Sequence, residues 1–147
     1  MALPLTNSMF SDYHPGAISE AVEGMLDKHW DWKLPVDIKN IASKCNINAL
    51  YLNEIEDPTH IGLSGLAEIK NEERFIYCSM SEIDVRQRFT LAHELGHHIL
   101  GHVTPENPMK RDDSSSFRSN SVAYMEREAN QFAAELLMPK VALDHYI

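Results

Sequence analysis

Cysteine is scarce in this chain. Cys45 and Cys78 are the only two, far apart and in no C-x-x-C arrangement, so they read as free buried thiols in a reducing compartment rather than a disulfide framework. Basic residues are also outnumbered, 13 Lys and Arg against 22 Asp and Glu. The resulting formal charge of −9 disfavours direct nucleic-acid binding. No stretch approaches the roughly 18 apolar residues that would span a bilayer. The opening MALPLTNSMF lacks both the basic segment and the apolar run of a secretory signal. The expectation is a cytoplasmic protein with no membrane contact. There is no internal repeat.

What is present suits one globular domain over residues 1–147, since 44% apolar and 24% charged residues are ordinary for a soluble core and surface. Residues 1–15 predict an irregular arm. Ile18, Val22, Met25, Leu26 and His29 or Trp30 recur at helical spacing, and a second short helix is expected over 36–44, with Pro35 near its start. A helix-turn-helix from these two is disfavoured by Asp37 and the overall acidity. Strands are expected over 49–54, 66–70 and 74–79, the last two joined by Asn71-Glu72-Glu73. Ser81 with Asp84 resembles a capping box, and a long helix then runs from Glu82 to Gly101. Residues 103–121, with two prolines and Ser114-Ser115-Ser116, predict a flexible loop: either a lid or a solvated connection. A last helix follows from Val122 to Pro139. The fold class is α+β: a small, mainly antiparallel sheet packed on the central helix, with N-terminal helices and a C-terminal one.

The central stretch is Arg88–His102, RFTLAHELGHHILGH, which contains His93-Glu94-Leu95-Gly96-His97, an H-E-x-x-H pattern. Residues four apart share a helix face, so the two imidazoles can converge on one metal ion. Glu94, about 100° round the helix, suits a base that stays off the metal. The alternative is a buried helix with two satisfied histidines. A catalytic zinc commonly has three protein ligands. His102 is out of register for the extended motif, whose glycine and third histidine fall seven and ten residues after the first; those positions hold Leu100 and Val103. The better third ligand is Glu126, with Asn130 on the same face as partner of a ligand imidazole. Glu128 is the competing ligand, about 200° round the helix from Glu126. Two histidines and a carboxylate can also hold Fe(II), but a free carboxylate beside the first histidine favours hydrolysis. Glu94 would take a proton from water attacking a peptide carbonyl and pass it to the leaving amine. Tyr124 or His102 could add a donor to the substrate oxyanion. The strand at Arg74–Ser79 could receive an extended substrate if it lies at a sheet edge.

The combination RFTLAHELGHHILGH with EREANQFAAELLMP, preceded by LPVDIKNIA and paired strands, resembles the ImmA/IrrE-type metallopeptidases of bacteria, phages and mobile elements. The resemblance spans about residues 18–139. It implies a gluzincin-like fold, zinc (or manganese) on His93, His97 and Glu126, and Glu94 as catalytic base. It also implies a partner: a helix-turn-helix repressor or antitoxin encoded nearby. The chain would cut that partner in transcriptional derepression, or act as the toxin-like half of a two-gene module. A metal-containing domain that binds and regulates such a partner without hydrolysis is the alternative.

Overall fold

The computed structural model describes residues 14–118 and 123–139. The fold is α+β, with a four-stranded mixed sheet and four α-helices among these residues. The expected N-terminal arm lies outside the described residues up to position 13. Its last position, Pro15, is already the first residue of helix α1 (Pro15–His29), where its missing N–H costs nothing. Ile18, Val22, Met25 and Leu26 form the buried stripe of α1, and Ser19 and Gln131 tie α1 to the C-terminal helix through Glu135 and the Pro15 carbonyl. Helix α2 (Ile38–Lys44) begins two residues later than expected, because the Asp37 side chain caps it by accepting from the Asn40 N–H. It packs against the sheet and the central helix, not as the second helix of a helix-turn-helix.

Strands β1 (Ile47–Tyr51), β2 (Gly65–Lys70), β3 (Glu73–Cys78) and β4 (Met109–Asp112) lie in the order β1-β3-β2-β4. The β2–β3 hairpin closes with two residues, Asn71 and Glu72, at φ 53° and 66°, instead of the three expected. Two positive φ values are what a tight turn matched to strand twist requires. β1 pairs parallel with β3, and β4 antiparallel with β2. Two expectations are therefore corrected. β3 is an interior strand with both edges paired, so it cannot take an extended substrate. The 103–121 stretch contains a strand, a turn closed by Thr104 and Asn107, and a 3₁₀ helix at Ser114–Phe117; it is not one structureless loop.

Helix α3 (Asp84–Ile99) is enclosed between the sheet and helix α4 (Tyr124–Leu137), and every residue from Thr90 to His98 is buried. The expected Ser81 cap is absent. Ser81 bonds Ser79 instead, and the Gln87 amide secures the entry by donating to the Glu82 and Met80 carbonyls. Two glycines set the spacing around α3. A Cβ on Gly96 would stand 3.0 Å from the buried Phe132 ring, so glycine here lets α3 and α4 cross closely. Gly101, at φ 80°, turns the chain back so that the His102 and Val103 N–H groups bond the His97 carbonyl. No helix among the described residues is long and apolar enough to cross a membrane.

His98 joins α3 to the sheet. Its Nε2 donates to the Phe75 carbonyl, leaving Nδ1 to accept from Arg74. Burial, reinforced by the Arg74 charge, brings its pKa down to about 4. A histidine depressed in the folded state stays neutral there while the unfolded chain takes up a proton. Its contribution is intact above about pH 6.5 and is lost as pH falls towards 4. Urea unfolding from pH 7 to 4 should show wild type losing about 3 kcal/mol that a His98→Gln variant does not lose.

Candidate metal centre

Four side chains from three elements meet in one buried group. α3 supplies His93 and His97 one turn apart, α4 supplies Glu126, and β4 supplies Asp112. All four are buried, His93, His97 and Asp112 completely. The two Nε2 atoms lie 3.1 Å apart. Glu126 Oε1 is 2.9 Å from His93 Nε2 and 3.4 Å from His97 Nε2. Asp112 Oδ2 is 3.5 Å and 3.1 Å from the same two atoms.

The far sides of both rings fix their protons. His93 Nδ1 lies 2.9 Å from Asn130 Oδ1. The Asn130 Nδ2 donates to the Ser116 and Arg118 carbonyls, so its oxygen must face the ring. His93 therefore carries its hydrogen on Nδ1 and turns an Nε2 lone pair inward. His97 Nδ1 lies 2.9 Å from His102 Nδ1, and His102 Nε2 lies 2.7 Å from Glu128 Oε1. The Glu128 carboxylate accepts from His102 Nε2–H, His102 Nδ1 accepts from His97 Nδ1–H, and His97 also turns a lone pair inward. Two lone pairs and two carboxylates then face one another in a buried space. Such a set repels itself unless a cation or protons lie between. A tetrahedron with zinc-to-donor bonds of about 2.0–2.1 Å has edges of about 3.3 Å, and the five distances above run from 2.9 to 3.5 Å. The donor set and its spacing fit a divalent cation.

The electrostatics follow from this crowding. Burial would lower the His93 pKa, but the Asp112 and Glu126 carboxylates outweigh it and raise it. Burial works against ionised Asp112 and Glu126 too, and the two imidazoles reverse the sign and hold both acids below their ordinary range. Lys110, on the same face of β4 as Asp112, reaches Glu126 Oε2 at 2.8 Å. Glu94 is fully buried and neither of its oxygens has a hydrogen-bond partner. Burial first, then the Asp112 charge, raises its pKa well above the usual glutamate value. A Cβ on Gly65 would collide with Glu94 Oε2 and the Thr90 methyl, so the bare strand backbone is what gives Glu94 its room.

Against the sequence-based expectations, His93, His97 and Glu126 are brought together, and Asn130 bonds a ring of the set. Glu128 is not among the four; it bonds His102, on the side of His97 that faces away from them. His102 is likewise behind His97, bonded to its Nδ1 and outside the four. Tyr124 is half-buried at the first position of α4, outside the group. Asp112, Lys110 and Gly65 were not anticipated. The signal for Asp112 was the alternation in Met-Lys-Arg-Asp, which puts Lys110 and Asp112 on one strand face.

The geometry bears on a family match. The family model for the IrrE N-terminal-like domain, Peptidase_M78, matches residues 49–147, from β1 onward. The chain belongs to this family. Peptidase_M78 is a metallopeptidase-type family, and the matched region contains all four residues of the centre. No curated protein matches the chain.

Two substitutions separate the supporting groups from the donors. Glu128→Ala should weaken zinc binding about 10–100-fold in chelator competition, with Glu128→Gln falling between it and wild type, because His102 loses the acceptor that fixes its tautomer and, through it, that of His97. Gly65→Ala should leave zinc affinity close to wild type, while a crystal structure of the variant shows the Glu94 carboxylate displaced by the added methyl.

Proposed function

We propose that this Peptidase_M78 member is a zinc-dependent endopeptidase with a narrow protein substrate, a helix-turn-helix repressor or antitoxin. The observation that carries the hydrolytic reading is the pairing of two inward-facing lone pairs and two carboxylates with one unpartnered acid, Glu94, on the adjoining helix position. When bound, zinc supplies a Lewis acid that acidifies water and polarises a carbonyl. His93, His97 and Glu126 hold it, oriented from behind by Asn130 and by the Glu128–His102 pair. Glu94 takes the proton of the attacking water and returns it to the leaving amine. Lys110 offsets the charge of Glu126. Manganese would suit the carboxylates, but two imidazoles favour zinc.

The choice of partner is supported by family resemblance and by charge. At −9 the chain is complementary to a basic DNA-binding protein, and unsuited to DNA itself. The burial of the whole centre favours a second reading as well, a metal-containing domain that binds its partner without cutting it. Incubation with the product of the adjacent gene, followed by mass measurement of fragments, tests the two against each other. Cleavage should occur with zinc and stop with chelator. Glu94→Gln should retain the metal and lose at least about 10²-fold in rate. Tight partner binding with intact mass, unchanged by Glu94→Gln, would sink the peptidase in favour of the binding domain.

A further inference from the structure

A catalytic zinc keeps one coordination position free, whereas a structural zinc is closed by four protein ligands. Here the count is four. Asp112 Oδ2 stands 3.1 Å and 3.5 Å from the two histidine Nε2 atoms, distances like those that Glu126 makes with the same atoms, and it is completely buried. Neither Asp112 oxygen makes a hydrogen bond of good geometry; Oδ2 instead faces the two imidazole nitrogens, where it can serve as a fourth donor to a shared cation.

The element that carries Asp112 is unlike those that carry the other three. His93, His97 and Glu126 sit on helices locked together at Gly96 and Phe132. β4 has four residues, pairs only with β2, and lies at the edge of the sheet. Its two inward side chains, Lys110 and Asp112, both end in the metal centre. The 3₁₀ segment that follows is held to α4 by the Asn130 amide, and Phe117 stands edge-on to His93 at 4.6 Å.

We propose that Asp112 is a displaceable fourth ligand, so that β4 and the 3₁₀ segment Ser114–Phe117 form a latch that closes the centre until a substrate or partner draws the strand aside. This rests on the metal site proposed above and adds to it a resting state in which no coordination position is open. It explains why a centre with peptidase residues is inaccessible to solvent.

The test uses the full chain loaded with Co²⁺, whose visible spectrum reports coordination number, titrated with acetohydroxamate, a small bidentate ligand that needs an open position. Wild type should need at least about tenfold more hydroxamate for the half-maximal spectral change than Asp112→Ala or the isosteric Asp112→Asn, because the closed fraction reduces apparent affinity. Lys110→Met, which removes the other tie of β4 and leaves Asp112 in place, should fall between. Circular dichroism checks that each variant is folded. Equal hydroxamate sensitivity across wild type and variants overturns the latch. So does a folded Asp112 variant that takes up no cobalt, since Asp112 would then be an obligatory ligand. Failure of wild type to bind cobalt is a different result: it removes the metal site itself.

Discussion

The structure depends on one close crossing. Where Gly96 of α3 meets Phe132 of α4, no side chain holds the helices apart, and Glu126 is carried to within 2.9 Å of His93. A methyl group at Gly96 would press on a fully buried ring, and the shift needed to relieve it would be felt at the carboxylate two turns away on α4. The glycine of H-E-L-G-H is thus part of the site although it contributes no donor. The same economy holds at Gly65, where the sheet yields space to Glu94. The apolar core, running from Ile18 and Val22 through Ile41 and Ile76 to Leu95 and Leu136, makes these two approaches rigid.

Helical periodicity made much of this legible. Spacing alone placed His93 and His97 on one face, put Glu126 and Asn130 together on another helix, and set Glu128 on the opposite side of it. What spacing could not show is how a residue facing away from the metal would be used. Glu128 meets His102 only because Gly101 reverses the chain and tucks that ring under His97, and the left-handed turn is a tertiary detail. Asp112 was hidden for another reason. Four residues reading Met-Lys-Arg-Asp, followed by Asp and three serines, have the composition of a solvated loop, and only pairing with β2 gives them an inside and an outside. Strand order was similarly out of reach. β3 looked like a possible edge because the parallel partner β1 joins it across a crossover that leaves no mark in the local pattern.

The supporting groups divide the labour between rings. His93 is held by a neutral amide, itself fixed by two backbone carbonyls of the segment after β4. His97 is held by an imidazole backed by a carboxylate. The second arrangement places negative charge behind the ring and makes its Nε2 the more basic donor. The first links the ring to the segment that covers the site, so that any displacement of residues 116–118 is transmitted to His93 through one side chain. One histidine is built for affinity, and the other is coupled to the cover.

The charge on the centre decides when Glu94 can act as a base. Asp112 and Glu126 are held ionised and Lys110 is paired with Glu126, leaving one net negative charge before Glu94 is considered. In that field the Glu94 carboxyl has its pKa raised well above the ordinary value, by its burial first and then by the Asp112 charge. A divalent cation turns the local balance positive by one, and ionised Glu94 then brings it to neutrality. A cation held by the donors would oppose the Asp112 and Glu126 charges, and would so draw the Glu94 pKa back towards its ordinary value. Removing Asp112 from the donor set shifts the balance further in that direction, by taking away the nearest like charge. Asp112 thus bears on both ends of the site: its oxygen completes the donor group, and its charge adds to the burial that raises the Glu94 pKa.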